Sequence, residues 1–140
     1  RPLADYIITY TNCVSEDDRE KWGYNDGHKV SEEEAKAIAE QLKHLIKTGH
    51  TREHAEDYER ERKKQEDFNK RIEKKLKAFE KSVEKKMGKD IAPKDYSEED
   101  KKKWDSIYEK KSWSANYPFS VNHVTKFIEF AENSGGFEIC

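Results

Sequence analysis

TREHAEDYERERKKQEDFNKRIEKKLKAFEKSVEKKM, residues 51–87, decides the architecture of this chain. Ala55, Tyr58, Phe68, Ile72, Leu76, Phe79 and Val83 follow three- and four-residue steps, the period of one helix face. Glu61, Arg62 and Gln65 interrupt the stripe between Tyr58 and Phe68. Opposite charges four apart, Glu59 with Lys63, Glu66 with Lys70 and Glu73 with Lys77, support a helix at about 0.2–0.5 kcal/mol per pair. Gly88 ends it. Roughly 35 residues at 1.5 Å each make a helix on the order of 50 Å long, more than a body of this size covers, so its middle must project or pair with something.

The following segment supplies a partner. Ile91, Ala92 and Pro93 break the helix, and Ser97-Glu98-Glu99-Asp100 restarts one with an acidic cap. Trp104, Ile107 and Tyr108 share a face of that second helix, which has the length and polarity to fold back on the first. The expectation is a charged helical hairpin over 51–111, inserted between two end segments of a single domain, 1–140.

Both ends carry the core signals. Over 2–14, Leu3, Tyr6, Ile7, Tyr10 and Val14 have helical spacing, and Pro2 suits a first turn. The run Ile7-Ile8-Thr9 argues for strand instead, and helix is the favoured reading. Residues 22–28, Trp-Gly-Tyr-Asn-Asp-Gly-His, read as a tight-turn loop. Ser31 with Glu34 forms a capping box for a helix whose Ala35, Ile38, Ala39, Leu42, Leu45 and Ile46 face the core, closed by Gly49. Near the C-terminus, 113–119 is extended ahead of Pro118. Ser120 then caps a helix with Val121, Val124, Phe127, Ile128 and Ala131 inward, and Phe137-Glu138-Ile139-Cys140 alternates like a short strand. A lone strand is unstable, so its partner should lie near the N-terminus or upstream of Arg1. The fold class is therefore mainly α, or α+β with a minor short-strand element: a compact head made by both termini plus the long charged helix or hairpin.

Composition agrees. At 140 residues, 33% apolar and 41% charged, too few side chains can be buried for one thick core, so part of the chain is solvated helix. Three Trp, seven Tyr and six Phe are more aromatic surface than a disordered tail carries. The net charge of −2 gives no whole-molecule field toward nucleic acid or membrane. No apolar run approaches the roughly 18 residues of a membrane span, and no leader pattern is present. Cys13 and Cys140 are too few for a disulfide framework or a four-cysteine zinc site, so free thiols in a reducing cytoplasm are expected.

Arg1-Pro2-Leu3 with Asp5-Tyr6, Gly23-Tyr24-Asn25-Asp26-Gly27, and Tyr117-Pro118-Phe119-Ser120-Val121 running through Phe127 and Phe130 to Ser134-Gly135-Gly136-Phe137-Glu138-Ile139-Cys140 carry a resemblance. In these blocks, under half of the chain, it resembles a set of small uncharacterised proteins encoded by bacteriophages and prophages. Many of those carry paired Cys-x-x-Cys motifs between the end blocks. Charged helices replace them here, so no metal site carries over. The resemblance implies a mobile-element origin; with no span or leader pattern read, the expected location is the host-cell cytoplasm.

Several constellations have both a structural and a functional reading. Asn25, Asp26 and His28 either make the turn before the capped helix or form a ligand site where backbone amides approach an anion. Tyr117, Phe119, Gly136 and Phe137 either fill the core or line a pocket with Trp22. His44, His50 and His54 crowd the turn at Gly49, the last two at zinc-compatible spacing, but no further ligand is marked, and a solvated hinge is the plainer reading. Lys70, Lys74, Lys77, Lys81 and Lys85 line one side of the long helix, either as a solvated face or as a track for phosphates or an acidic protein.

No nucleophile, base and orienter stand together in the sequence, so no catalytic residue, cofactor or metal is assigned. The leading expectation is a non-enzymatic phage-encoded binding protein, an inhibitor of a host defence component in the anti-CRISPR manner. Its partner would be a host protein or protein–nucleic acid complex, reached by the charged arm. The alternatives are sequence-independent nucleic-acid binding by the lysine face and a small-ligand, nucleotide-type pocket in the head. A second copy, joined as a coiled coil, is a candidate cover for the long apolar stripe.

Overall fold

The computed structural model describes residues 1–24 and 26–140. The protein is mainly α with a minor two-stranded sheet, as the sequence predicts. Its elements are α1 (Pro2–Tyr10), α2 (Glu16–Gly23), β1 (His28–Ser31), α3 (Glu32–Lys47), α4 (His50–Met87), α5 (Glu98–Tyr108), α6 (Val121–Asn133) and β2 (Gly136–Ile139), with 3-10 turns at Pro93–Asp95 and Ser114–Asn116. Two compact units result: Arg1–Glu59 with Tyr117–Cys140, and Arg60–Asn116.

In the first unit α3 packs along α6. Ala35, Ile38, Ala39 and Leu42 are enclosed on α3, facing Val124, Ile128 and Ala131 of α6. The alanines let the two helices approach, while full burial of a side chain such as Leu42 contributes about 1.5–3 kcal/mol. Ser31 starts α3 by accepting a hydrogen bond from the Glu34 amide at 3.2 Å, and Ser120 does the same for α6 with the His123 amide. Lys43 pairs with Glu132 across the helices, and the bond to that carboxylate holds the lysine's pKa above its usual value. Gly49, at φ 83°, makes the left-handed step that ends the α3 turn before His50 opens α4.

Two sequence expectations change here. The loop over 22–28 is shorter than read: Trp22 and Gly23 close α2, and His28 opens β1. Ser15 caps α2, its hydroxyl accepting from the Asp18 amide, a start signal as explicit as the one at Ser31. The terminal strand then finds its partner inside the chain. β1 and β2 run antiparallel in the register His28↔Ile139, Lys29↔Glu138, Val30↔Phe137 and Ser31↔Gly136. Gly136 is required there: its φ is 105°, and a Cβ would lie 2.8 Å from the Val30 carbonyl oxygen.

In the second unit Ile72, Leu76 and Val83 are buried along one line of α4, with Tyr96 and Ala115 buried elsewhere in the unit. The chain returns antiparallel beside α4, fixed by polar clamps. Asn69 donates from Nδ2 to the Ser112 carbonyl and accepts from the Ser112 amide, both at 2.7 Å. Arg62 donates to the Ala115 carbonyl at 3.1 Å. Lys111 bonds Glu73 at 3.1 Å, and Lys86 lies 3.8 Å from the buried Asp100. Two of the predicted four-apart ion pairs are therefore replaced: Glu73 turns to Lys111 instead of Lys77, and Glu66 pairs with Arg62 at 3.8 Å instead of Lys70. A tertiary partner competes easily with an exposed pair of such small worth. The stretch before Pro118 is also not extended throughout, since Ser114–Asn116 forms a 3-10 turn.

Candidate functional site

The second face of α6 builds a shallow cleft on the first unit. Val124, Ile128 and Ala131 point into the core, while His123, Lys126, Phe127 and Phe130, at i, i+3, i+4 and i+7, lie along another line of the helix. Arg1, Pro2 and Leu3 from the start of α1 and Tyr117-Pro118 from the preceding segment complete a hollow of about 480 Å³. Its floor is apolar and aromatic; Arg1, His123 and Lys126 supply its basic groups. Arg1 is tied down, donating to the Gly23 carbonyl at 3.3 Å and lying 3.9 Å from the Asp5 carboxylate. Among the described residues no carboxylate lies within ion-pair distance of Lys126. Tyr117 is 54% exposed and Phe130 51%, so about half of each ring faces water.

An aromatic ladder supports the cleft from beneath. Phe130 and Phe127 lie 5.5 and 5.7 Å from Phe137, and Phe137 meets Trp22 edge-on at 6.1 Å. Offset and edge-on rings at such spacings hold one another in place. Trp22 is buried, so the ladder runs from core to surface.

The residues singled out by sequence are thus distributed. Tyr117 lines the cleft, and Phe137, with Trp22 behind it, props the cleft floor. Phe119 does not join them. Two residues beyond Tyr117, it is 4% exposed in the core, 5.1 Å from Tyr6 and 4.9 Å from His54. Gly136 serves β2 pairing. Asp26 is exposed beside α2, and Asn25 lies outside the described residues. His28 is half-buried in β1 with Nε2 unpartnered. The Gly27 amide donates to the Ile139 carbonyl at 2.9 Å, and the Glu138 carboxylate flanks Gly27. Asp18 and Asp26 also act on Lys21. Carboxylates around this loop oppose the anion-binding reading. Sequence reasoning passed over Arg1, His123 and Lys126 as site residues. The signal was present in the second helical stripe 123, 126, 127, 130, masked by the stronger core stripe of the same helix.

His50 and His54 are not a solvated hinge. His50 and His54 pack with Tyr6, Tyr10, Tyr58 and Phe119. Tyr6 places its hydroxyl 2.9 Å from His50 Nδ1 and 2.8 Å from Thr51 Oγ1. Tyr6 and Thr51 are fully enclosed, and His50 at the end of this hydroxyl–imidazole chain is half-buried. Burial, then the His50 charge, pushes His54 below the usual histidine pKa, and burial pushes the Tyr6 phenol up. His44 stands exposed and outside the cluster. Among the described residues no group of three His, Cys, Asp or Glu side chains is arranged to hold a metal ion. Cys13 and Cys140 are free thiols, and burial raises the Cys13 pKa.

On the second unit, Lys70, Lys74, Lys77, Lys81 and Lys85 are all exposed. No helix among the described residues is long and apolar enough to cross a membrane. No family model, curated protein or solved structure matches the chain.

Proposed function

We propose that the protein is a non-enzymatic binding protein of phage or prophage type, which acts by occupying a host protein, a component of a defence system, through the α1–α6 cleft. One observation carries this reading. Seven of the nine cleft residues, Arg1, Pro2, Leu3, Tyr117, Pro118, Phe127 and Phe130, belong to the end blocks that resemble phage proteins. These seven residues meet at a surface and do not only fill the core.

The energetics suit a protein partner. A ring of 150–250 Å² that is half covered already has roughly 100 Å² left to bury, about 2.5 kcal/mol at 25 cal/mol per Å². Tyr117 and Phe130 together supply the aromatic anchors found at the centre of tight interfaces, with Arg1, His123 and Lys126 as polar surroundings. Occupancy is favoured over chemistry because the Tyr6 and Thr51 hydroxyls are enclosed.

Affinity capture from host lysate tests this, comparing the native protein with a Tyr117→Ser/Phe130→Ser variant. The native protein should retain a stoichiometric partner, and the variant should lose it at least about 10-fold while melting at the same temperature. Repeated capture without a stoichiometric partner, or equal capture by the variant, refutes the reading.

A further inference from the structure

The protein's small net charge conceals two opposed fields. The unit Arg1–Glu59 with Tyr117–Cys140 holds 9 Lys/Arg against 17 Asp/Glu, net −8, and the unit Arg60–Asn116 holds 19 against 13, net +6. The positive excess is organised on α4. At 100° per residue, Lys70, Lys74, Lys77, Lys81 and Lys85 fall within an arc of roughly 80°, centred roughly 160° from the buried line Ile72, Leu76, Val83. The acids of this stretch lie along one flank of that arc, toward other partners. Glu73 bonds Lys111, and Glu80 and Glu84 lie close enough to Tyr96 to raise its pKa, behind the larger effect of burial. Among the described residues none of the five lysines has a carboxylate within ion-pair distance.

We propose that this face binds the phosphate backbone of a nucleic-acid duplex without reading sequence. Over residues 70–85 the five ammonium groups span roughly 22 Å, a length along which one duplex strand presents about six phosphates at 3.4 Å intervals. The face holds no aromatic side chain, so it offers no platform for the base stacking on which single-strand binders rely. It also holds no large apolar anchor, and lysine is depleted from protein interfaces, which argues for phosphate over an acidic protein surface. With nothing directed at base edges, the contact is electrostatic throughout. This site is separate from the cleft, and the two proposals stand or fall independently.

Fluorescence anisotropy of a labelled 20-base-pair duplex, the matching single strand and poly-glutamate, each with the full-length protein, provides the test. The duplex should bind tightest at 50 mM salt and weaken about 10²-fold by 200 mM, the slope expected for four or five phosphates. Lys74→Glu/Lys77→Glu/Lys81→Glu should weaken duplex binding at least about 10-fold more than Lys94→Glu/Lys101→Glu/Lys102→Glu, which makes the same change in net charge. Circular dichroism should show equal helix in both variants, and Tyr117→Ser/Phe130→Ser should bind duplex like the native protein. No duplex binding at 50 mM salt, equal losses in the two triple variants, or tighter binding of single strand or poly-glutamate overturns the proposal.

Discussion

The enclosed apolar residues of the first unit come from several elements, whereas those of the second are fewer, and three of the five, Ile72, Leu76 and Val83, share one line of α4. The first unit encloses its residues by layering α3 on α6 with α1 and the two-stranded sheet. The second holds a thinner apolar seam and adds side-chain clamps onto backbone groups: Asn69 to Ser112, Arg62 to Ala115. A chain with 33% apolar residues cannot line two thick cores, and it concentrates them in one unit. Hydrogen bonds to an otherwise unpaired return segment can thus take over where burial runs short, because an unmet backbone group costs about 1–3 kcal/mol.

The largest effect should come from Leu42→Ala. With no exposed side, the cavity cannot collapse, and the cost should be about 3–5 kcal/mol in urea unfolding. Ile72, also buried, sits among fewer enclosed apolar residues, and Ile72→Ala should cost nearer 2 kcal/mol, the low end for such a truncation. Equal losses at the two sites would erase the distinction between an enclosed core and a seam.

Asn69→Ala comes next. It strands both the amide and the carbonyl of Ser112, at about 1–3 kcal/mol. Asn69→Asp keeps the acceptor but sets a carboxylate against that carbonyl, so it should restore little. Amide exchange within residues 60–116 should accelerate, with the amides of α3 and α6 unchanged. Acceleration spread equally over both sets would show that the clamp supports the whole chain and not one unit.

The same contrast explains what was legible beforehand. Helices with a local start signal and a regular stripe, α3, α4, α5 and α6, read directly from Ser31, Ser97, Ser120 and their apolar spacing. The α2 helix did not, because its mean composition is so polar that only Ser15 and Trp22 mark it. β1 was hidden in four residues whose strand character exists only once β2 pairs with it. Long-range polar choices were also invisible: nothing local tells Glu73 to prefer Lys111 over Lys77. The cleft was half legible, through Tyr117 and Phe137, since its remaining wall needs α1 and α6 side by side.

The smallest effect separates the units by pH. His54 has its pKa lowered chiefly by burial among rings, and next by His50. A folded-state value below the unfolded one means that the unfolded chain binds more protons, so stability is complete above about pH 6.5 and falls as pH drops below it. The acid-side loss therefore belongs mainly to desolvating the His54 imidazolium, and only partly to its repulsion with His50. Thermal melts between pH 7.5 and 5 should show His54→Phe, which keeps a ring against Tyr6 and Phe119, flattening the slope more than His50→Gln does. The loss should appear in the unit that contains His54, with residues 60–116 indifferent. A steeper flattening by His50→Gln would reassign the effect from burial to charge repulsion.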